Sequence, residues 1–234
     1  MRFDDLFRNL GFIAGNVATH LRDAAATGVP LAELDLTGPA PHAVALAGPG
    51  HVVVNVGDDF LIEVDEGPGR EDLRFALSDG RLGLSGGDGG TRVRITLPAP
   101  LSLAVTGSGR MESAALAPDG EVSVAGSGRL EIGAVGGGRL AVHIAGSGRL
   151  TLDGRADTLE LAIAGSGSCD GEGLMVHGAT VNLAGSGDAI FACDGEVTAS
   201  LLGSGNVIVR GSARCSVSSI GSGTLVCERA PAET

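Results

Sequence analysis

Ile144-Ala145-Gly146-Ser147-Gly148-Arg149-Leu150-Thr151-Leu152 is the stretch whose reading decides the fold of this chain. A glycine-flanked turn stands between two short runs in which every second residue is apolar. The same tripeptide recurs as Gly107-Ser108-Gly109, Gly126-Ser127-Gly128, Gly165-Ser166-Gly167, Gly185-Ser186-Gly187, Gly203-Ser204-Gly205 and Gly221-Ser222-Gly223, each copy 18 to 20 residues after the last. A period that short, headed by a turn and followed by strand-like alternation, describes the coils of a solenoid. Aligned on the first glycine, the fourth following positions are Met111, Leu130, Leu150, Cys169, Ala189, Val207 and Leu225. Two residues before the tripeptide stand Val105, Val124, Ile144, Ile163, Leu183, Leu201 and Ser219. Even offsets share one face of a strand, so each coil sends one inward strand into the turn and one out of it. A second turn falls about half a coil away, at Pro118-Asp119-Gly120, Gly136-Gly137-Gly138, His177-Gly178, Asp194-Gly195 and Gly211-Ser212. The spacing predicts an all-β fold, a narrow parallel β-helix.

Outward from the repeat, the chain divides into three parts. Residues 1–28 carry helical periodicity through Phe3, Leu6, Phe7, Leu10, Ile13, Ala14, Val17 and Leu21, and are expected to form an amphipathic helix capping one end. Residues 29–228 are expected to be one β-helix domain, with irregular coils over 29–106 and regular ones over 107–228. In the irregular part, Leu31–Leu36, His51–Val56, Phe60–Asp65, Leu73–Leu77 and Thr91–Leu97 read as strands of a degenerate coil. Residues 229–234 read as a short polar tail.

Composition narrows the function classes. The chain has 234 residues, 40 of them glycine, with no Trp, no Tyr and only six Phe, so stacking platforms for sugar rings are missing. A net charge of −12 argues against nucleic acid and against electrostatic docking to anionic lipid. No apolar run is long enough to predict a transmembrane segment. The first residues lack a secretory pattern, so a native start predicts a cytoplasmic protein.

Four groups of side chains invite a chemical reading. Arg110, Arg129 and Arg149 all sit three residues past a repeat head and should stack along one corner, a candidate anion-binding strip, while Arg139 holds the matching place on the opposite edge. Solvated arginines paired with nearby acids such as Glu112 and Glu131 are the plainer expectation. Cys169, Cys193, Cys215 and Cys227 all fall on the inward series and are expected to be small buried hydrophobes; no Cys-x-x-Cys spacing supports zinc. The five histidines share no coil position, and the acidic turns at 170–173 and 194–196 lack a calcium-binding repeat. The corner serines have no triad partners in register. No catalytic residue, metal ligand or cofactor-binding residue is therefore expected, and the repeat glycines are assigned a structural role.

With the repeat laid out, the chain resembles the GIN-type head domain of autotransporter adhesins. The residues that carry the resemblance are the rungs ending in Gly-Ser-Gly, Ser186-Gly187-Asp188 and Ser204-Gly205-Asn206 among them, preceded by LAELDLTGPAPHAVALAGPGHVVVNV at 31–56 and DDFLIEVDEG at 58–67. The arginine-bearing rungs depart from the family pattern. The resemblance implies a right-handed, single-stranded parallel β-helix of the bacterial cell envelope with an adhesive role and no inherited catalytic residues. A protein or surface-glycan ligand is the implied partner. Self-association through the N-terminal helix or the coil ends, as in an intracellular scaffold, is the alternative that the repeat itself allows.

Overall fold

The computed structural model describes residues 28–228. The helix expected over 1–28 and the tail over 229–234 lie outside the described residues, apart from Gly28. What is described is a β-solenoid built from strands β1 (Ala43–Ala47), β2 (His51–Val56), β3 (Leu61–Val64), β4 (Arg74–Ser78), β5 (Arg81–Ser85) and β6 (Arg92–Leu97). These are followed by β7 (Ser102–Gly107), β8 (Arg110–Ser113), β9 (Glu121–Gly126), β10 (Arg129–Gly136), β11 (Arg139–Gly146) and β12 (Arg149–Gly165). The last coils hold β13 (Ser168–Gly185), β14 (Asp188–Gly203), β15 (Asn206–Arg210), β16 (Arg214–Gly221) and β17 (Thr224–Glu228).

The strands form two long parallel ladders that meet at the Gly-Ser-Gly corner. One holds the strands entering the corner, in the order β5-β1-β7-β9-β11, then the second halves of β12, β13 and β14, then β16. The other holds the strands leaving it, in the order β6-β2-β8-β10, then the first halves of β12, β13 and β14, then β15 and β17 in the last coils. Successive rungs are about 4.8 Å apart.

The corner sets the register. Ser127, Ser147 and Ser166 each donate their backbone N–H to the first glycine carbonyl of the preceding corner, at 2.8–2.9 Å. Gly146 has φ +110°, and a Cβ there would lie 2.6 Å from the Gly126 carbonyl oxygen. A side chain at Gly128 would instead strike Val105 Cγ1 at 2.6 Å. Both glycines are thus required by the backbone of the coil below, since a Cβ at Gly128 would also lie 2.8 Å from the Gly109 carbonyl oxygen, and the second by the core as well.

The inward series assigned from the period is the core. Val105, Val124, Ile144, Ile163, Leu183 and Leu201 stack in register in one ladder; Met111, Leu130, Leu150, Cys169, Ala189 and Val207 stack in the other. All of these are buried. Gly171, inward but without a side chain, stands opposite Phe191, which fills that space.

Three expectations need correction. The irregular half is not a degenerate coil in chain order: the β5–β6 layer stacks outside the β1–β2 layer, and β3 and β4 pair antiparallel with β6 and β5. These antiparallel strands, with Phe75, Leu73 and Ile62 buried beneath them, cover that end of the solenoid. Val29 extends the cover through two backbone hydrogen bonds with Phe75. This end is thus covered by described β-structure. Second, Leu31–Glu33 is a turn of 3-10 helix, not a strand, because Pro30 supplies no N–H for a ladder. Third, only Cys169 and Cys193 are free and buried, whereas Cys215 and Cys227 form a disulfide. That bridge joins β16 to β17 across the last coil, where no further described layer stacks. Val217, Ile220 and Val226 are accordingly 50%, 56% and 43% exposed.

Replacing Gly146 with Ala forces an L-side chain into positive φ against a backbone carbonyl and is expected to cost about 1–3 kcal/mol from backbone strain. Ser147→Ala, at an exposed tip, should stay within about 0.5 kcal/mol of the parent. Paired urea denaturation curves check both; equal effects would remove the structural distinction between the corner positions.

Candidate functional site

The corner aligns more than the three arginines assigned from the repeat. The position immediately after it reads, coil by coil, Arg92, His51, Arg110, Arg129, Arg149, Ser168, Asp188, Asn206 and Thr224, each in register with the next. One half of the solenoid edge is therefore basic and the other half is neutral or acidic. Two residues further along each strand lies a parallel column containing Arg94, Val53, Glu112, Glu131, Thr151 and Asp170.

Like charges stacked at rung spacing repel, so their immediate partners matter. Arg110 is held by two of them: its Nη2 donates to Glu131 at 3.1 Å, and its buried Nε lies 2.9 Å from Glu112 Oε1, without the alignment of a hydrogen bond. The same Glu112 oxygen lies 3.1 Å from His51 Nε2. Neutralisation by Glu112 and Glu131 therefore holds for Arg110. It does not extend to its neighbours. Among the described residues, Arg92, Arg129 and Arg149 make no ion pair, and Arg149 Nε donates only to Ser168 Oγ at 3.3 Å.

Beyond Arg149 the column satisfies itself. Asn206 Nδ2 donates to Asp188 Oδ1 at 3.0 Å, and Thr224 Oγ1 donates to Asn206 Oδ1 at 2.7 Å. Alongside the column from Arg110 to Thr224, two residues nearer the corner tip, run Ser108, Ser127, Ser147, Ser166, Ser186, Ser204 and Ser222, all exposed. Their hydroxyls find no protein partner among the described residues.

A second concavity lies at the other corner. Gly137, Arg155, Ala156, Asp157, Met175, His177 and Asp194 line a shallow groove of about 320 Å³. His177 Nδ1 and Asp194 Oδ1 are 2.8 Å apart, and this hydrogen bond with the Asp194 charge raises the imidazole pKa. No serine or cysteine lines the groove, so the His–Asp pair there has no nucleophile to activate. Arg139, expected on this edge, is tied up by Glu160: its Nε donates to Oε1 at 2.8 Å and its Nη2 to Oε2 at 2.5 Å. That contact lowers the Glu160 pKa and raises that of Arg139. On the same outer face His143 buries Nδ1 without a partner, and burial lowers its pKa. Burial pushes the Cys169 thiol up to about 12, which leaves it protonated and inert at neutral pH. Among the described residues no group of His, Cys, Asp and Glu is arranged to hold a metal ion.

His51 and Arg92 are the members of the basic column that sequence reading missed. His51 had a signal: Gly48-Pro49-Gly50 is a corner, and His51 stands three residues past its first glycine, as Arg110 does past Gly107. Arg92 stands likewise three residues past Gly89, but its layer stacks out of chain order.

The described residues thus form an all-β solenoid with a charged column along one edge and no assembled reactive cluster. The chain belongs to the family described as "Putative auto-transporter adhesin, head GIN domain", whose model matches residues 40–213. A protein from Bacteroides fragilis described as a "putative adhesin" shares the fold with a TM-score of 0.71 at 20% identity, covering 80% of this chain and 92% of its own. A "putative lipid binding protein" from Parabacteroides distasonis matches with a TM-score of 0.65 at 19% identity, over 81% of this chain and 93% of that one. A "putative adhesin" from Parabacteroides merdae gives 0.62 at 18% identity, over 82% and 93%. No curated protein matches the chain in sequence.

The two histidines provide a direct check of this electrostatic picture. In an NMR titration His177 should titrate above 6.5 and His143 below it. Asp194→Asn should return His177 toward 6.5 and leave His143 unmoved. In stability terms the His177 contribution is present below pH 6.5 and lost as pH rises through its raised pKa. The His143 contribution runs the other way: it is present above pH 6.5 and lost as pH falls toward its lowered pKa.

Proposed function

We propose that this chain is a non-catalytic binding module of the bacterial cell envelope, adhesive in character, which presents the straight edge of a right-handed solenoid to a protein or surface glycan. The observation that carries it is the corner column itself: side chains at fixed rung spacing, three of them cationic and, among the described residues, unpaired and without a reactive cluster beside them. The right hand is the one that parallel strand crossovers take in nearly all cases. The Cys215–Cys227 bridge supports an oxidising compartment, since such bonds persist outside the reducing cytosol. Lipid binding, named for one structural relative, would have to use the outside, because the two ladders fill the interior with their own side chains.

Fractionation of native cells with thiol mapping tests the reading. The expected result is an envelope-associated protein with Cys215 and Cys227 oxidised and protected from alkylation. Recovery wholly in the cytosol with both thiols free would overturn it.

One observation favours a second reading, a self-assembling scaffold. The β16–β17 coil offers unpaired strand edges and exposed Val217, Ile220 and Val226, while the opposite end is covered. Among the described residues the covered end offers no second contact, so two copies meeting at the β16–β17 end form a closed dimer rather than the filament of a scaffold. Light scattering across a concentration series would then show dimers; a strict monomer at high concentration removes this reading.

A further inference from the structure

We propose that the Arg92–Arg149 edge binds an extended, carboxylate-bearing polysaccharide laid along the solenoid axis, an inference that rests on the binding-module reading and names its ligand class.

Three features of the edge select that chemistry. First, Arg110, Arg129 and Arg149 follow one another at single-rung spacing of about 4.8 Å. An extended uronic-acid chain can lie along such a row with its carboxylates turned alternately toward and away from the edge, so that those on the near side meet guanidiniums on alternate rungs. Guanidinium is the cation whose planar fork matches a carboxylate with two parallel hydrogen bonds. Second, each of these rungs also carries an exposed serine hydroxyl, at Ser108, Ser127 and Ser147, separated from its arginine only by a glycine. The hydroxyl supplies a donor and an acceptor for sugar hydroxyls beside the guanidinium that meets the carboxylate. Third, the charge is thin. The chain as a whole carries −12, and Glu112 and Glu131 flank the column, holding Arg110 and repelling any polymer with charge denser than the arginines can meet. Nucleic acids and sulfated polymers are of that denser kind; one carboxylate per sugar is not.

Among the described residues Arg92, Arg129 and Arg149 are unpaired; Arg129 and Arg149 stand on adjacent rungs, so they carry the specificity and Arg110 adds less. With no Trp or Tyr to stack on a ring, affinity comes from charge-assisted hydrogen bonds and falls as salt rises.

The test is isothermal titration of the full chain with oligomers of polygalacturonate and with the same oligomers fully methyl-esterified, at low and physiological salt. Binding of the free acid alone, weakened by salt, is expected. Arg129→Gln with Arg149→Gln should reduce it by about tenfold or more, as the loss of charge-assisted contacts implies. Arg139→Gln, whose parent side chain is already paired on the other edge, should leave it unchanged, while Glu131→Gln should strengthen it. All these sites are at least partly exposed, so thermal melting should confirm that each variant remains folded. Equal binding of the esterified polymer, of dextran sulfate or of single-stranded DNA overturns the proposal, as does a double variant that binds like the parent. No binding to any of these polymers also overturns it. Envelope fractionation and thiol mapping are independent of that result and decide the binding-module reading separately.

Discussion

Stacking one Gly-Ser-Gly corner on the next brings backbone against backbone, and most of the structure depends on that contact. The serine N–H of each coil reaches the glycine carbonyl of the coil before it, a distance that leaves no space for Cβ at the first glycine. Fixing the corner fixes the register of both strands that meet there. Register in turn decides which face every side chain occupies, because a slip of one residue would exchange the buried and exposed sets. The apolar columns and the charged edge are two results of the same constraint, one on each side of the sheet.

Regularity of this kind explains what could be read in advance. From Gly107 to Val207 the residues that the period placed inward face the core, and Leu130, Leu150 and Val207 lie where their offsets put them, whereas the buried Leu116, Val135 and Leu174 fall at odd offsets that it did not assign. His51–Val56 also matches β2 to the residue. Interpretation failed where non-local pairing took over. Strand content in 60–97 was legible, but nothing in the pattern of Leu61–Val64 or Arg74–Ser78 says that they run antiparallel, nor that β5–β6 lies outside β1–β2. Those choices are made by long-range burial under Phe75 and Leu73. The cysteines failed for a related reason: inward parity is equivalent to burial only where another coil stacks above, and Cys215 and Cys227 occupy the last one.

The candidate site was legible as a column and illegible as chemistry. Offset alone aligned Arg110, Arg129 and Arg149, yet whether each has a carboxylate in reach depends on rotamers and on which neighbour claims Glu112 and Glu131. Arg110 takes both. Its neighbours are left facing solvent at the same spacing, so a rung that looks identical in sequence is neutralised in one coil and free in the next two. Membership in the head-domain family says how the scaffold is built.

The swapped order of the first layers has a topological consequence. The β1–β2 layer lies between β5–β6 on one side and β7–β8 on the other. Chain order therefore adds material first to one edge of that layer and afterwards to the opposite edge. Growth of the solenoid reverses direction across residues 43–56, and the covered end belongs to an excursion completed before the regular coils begin. That excursion leaves the later coils with a single direction in which to extend, so changing the number of repeats would lengthen or shorten the rod without disturbing its starting end.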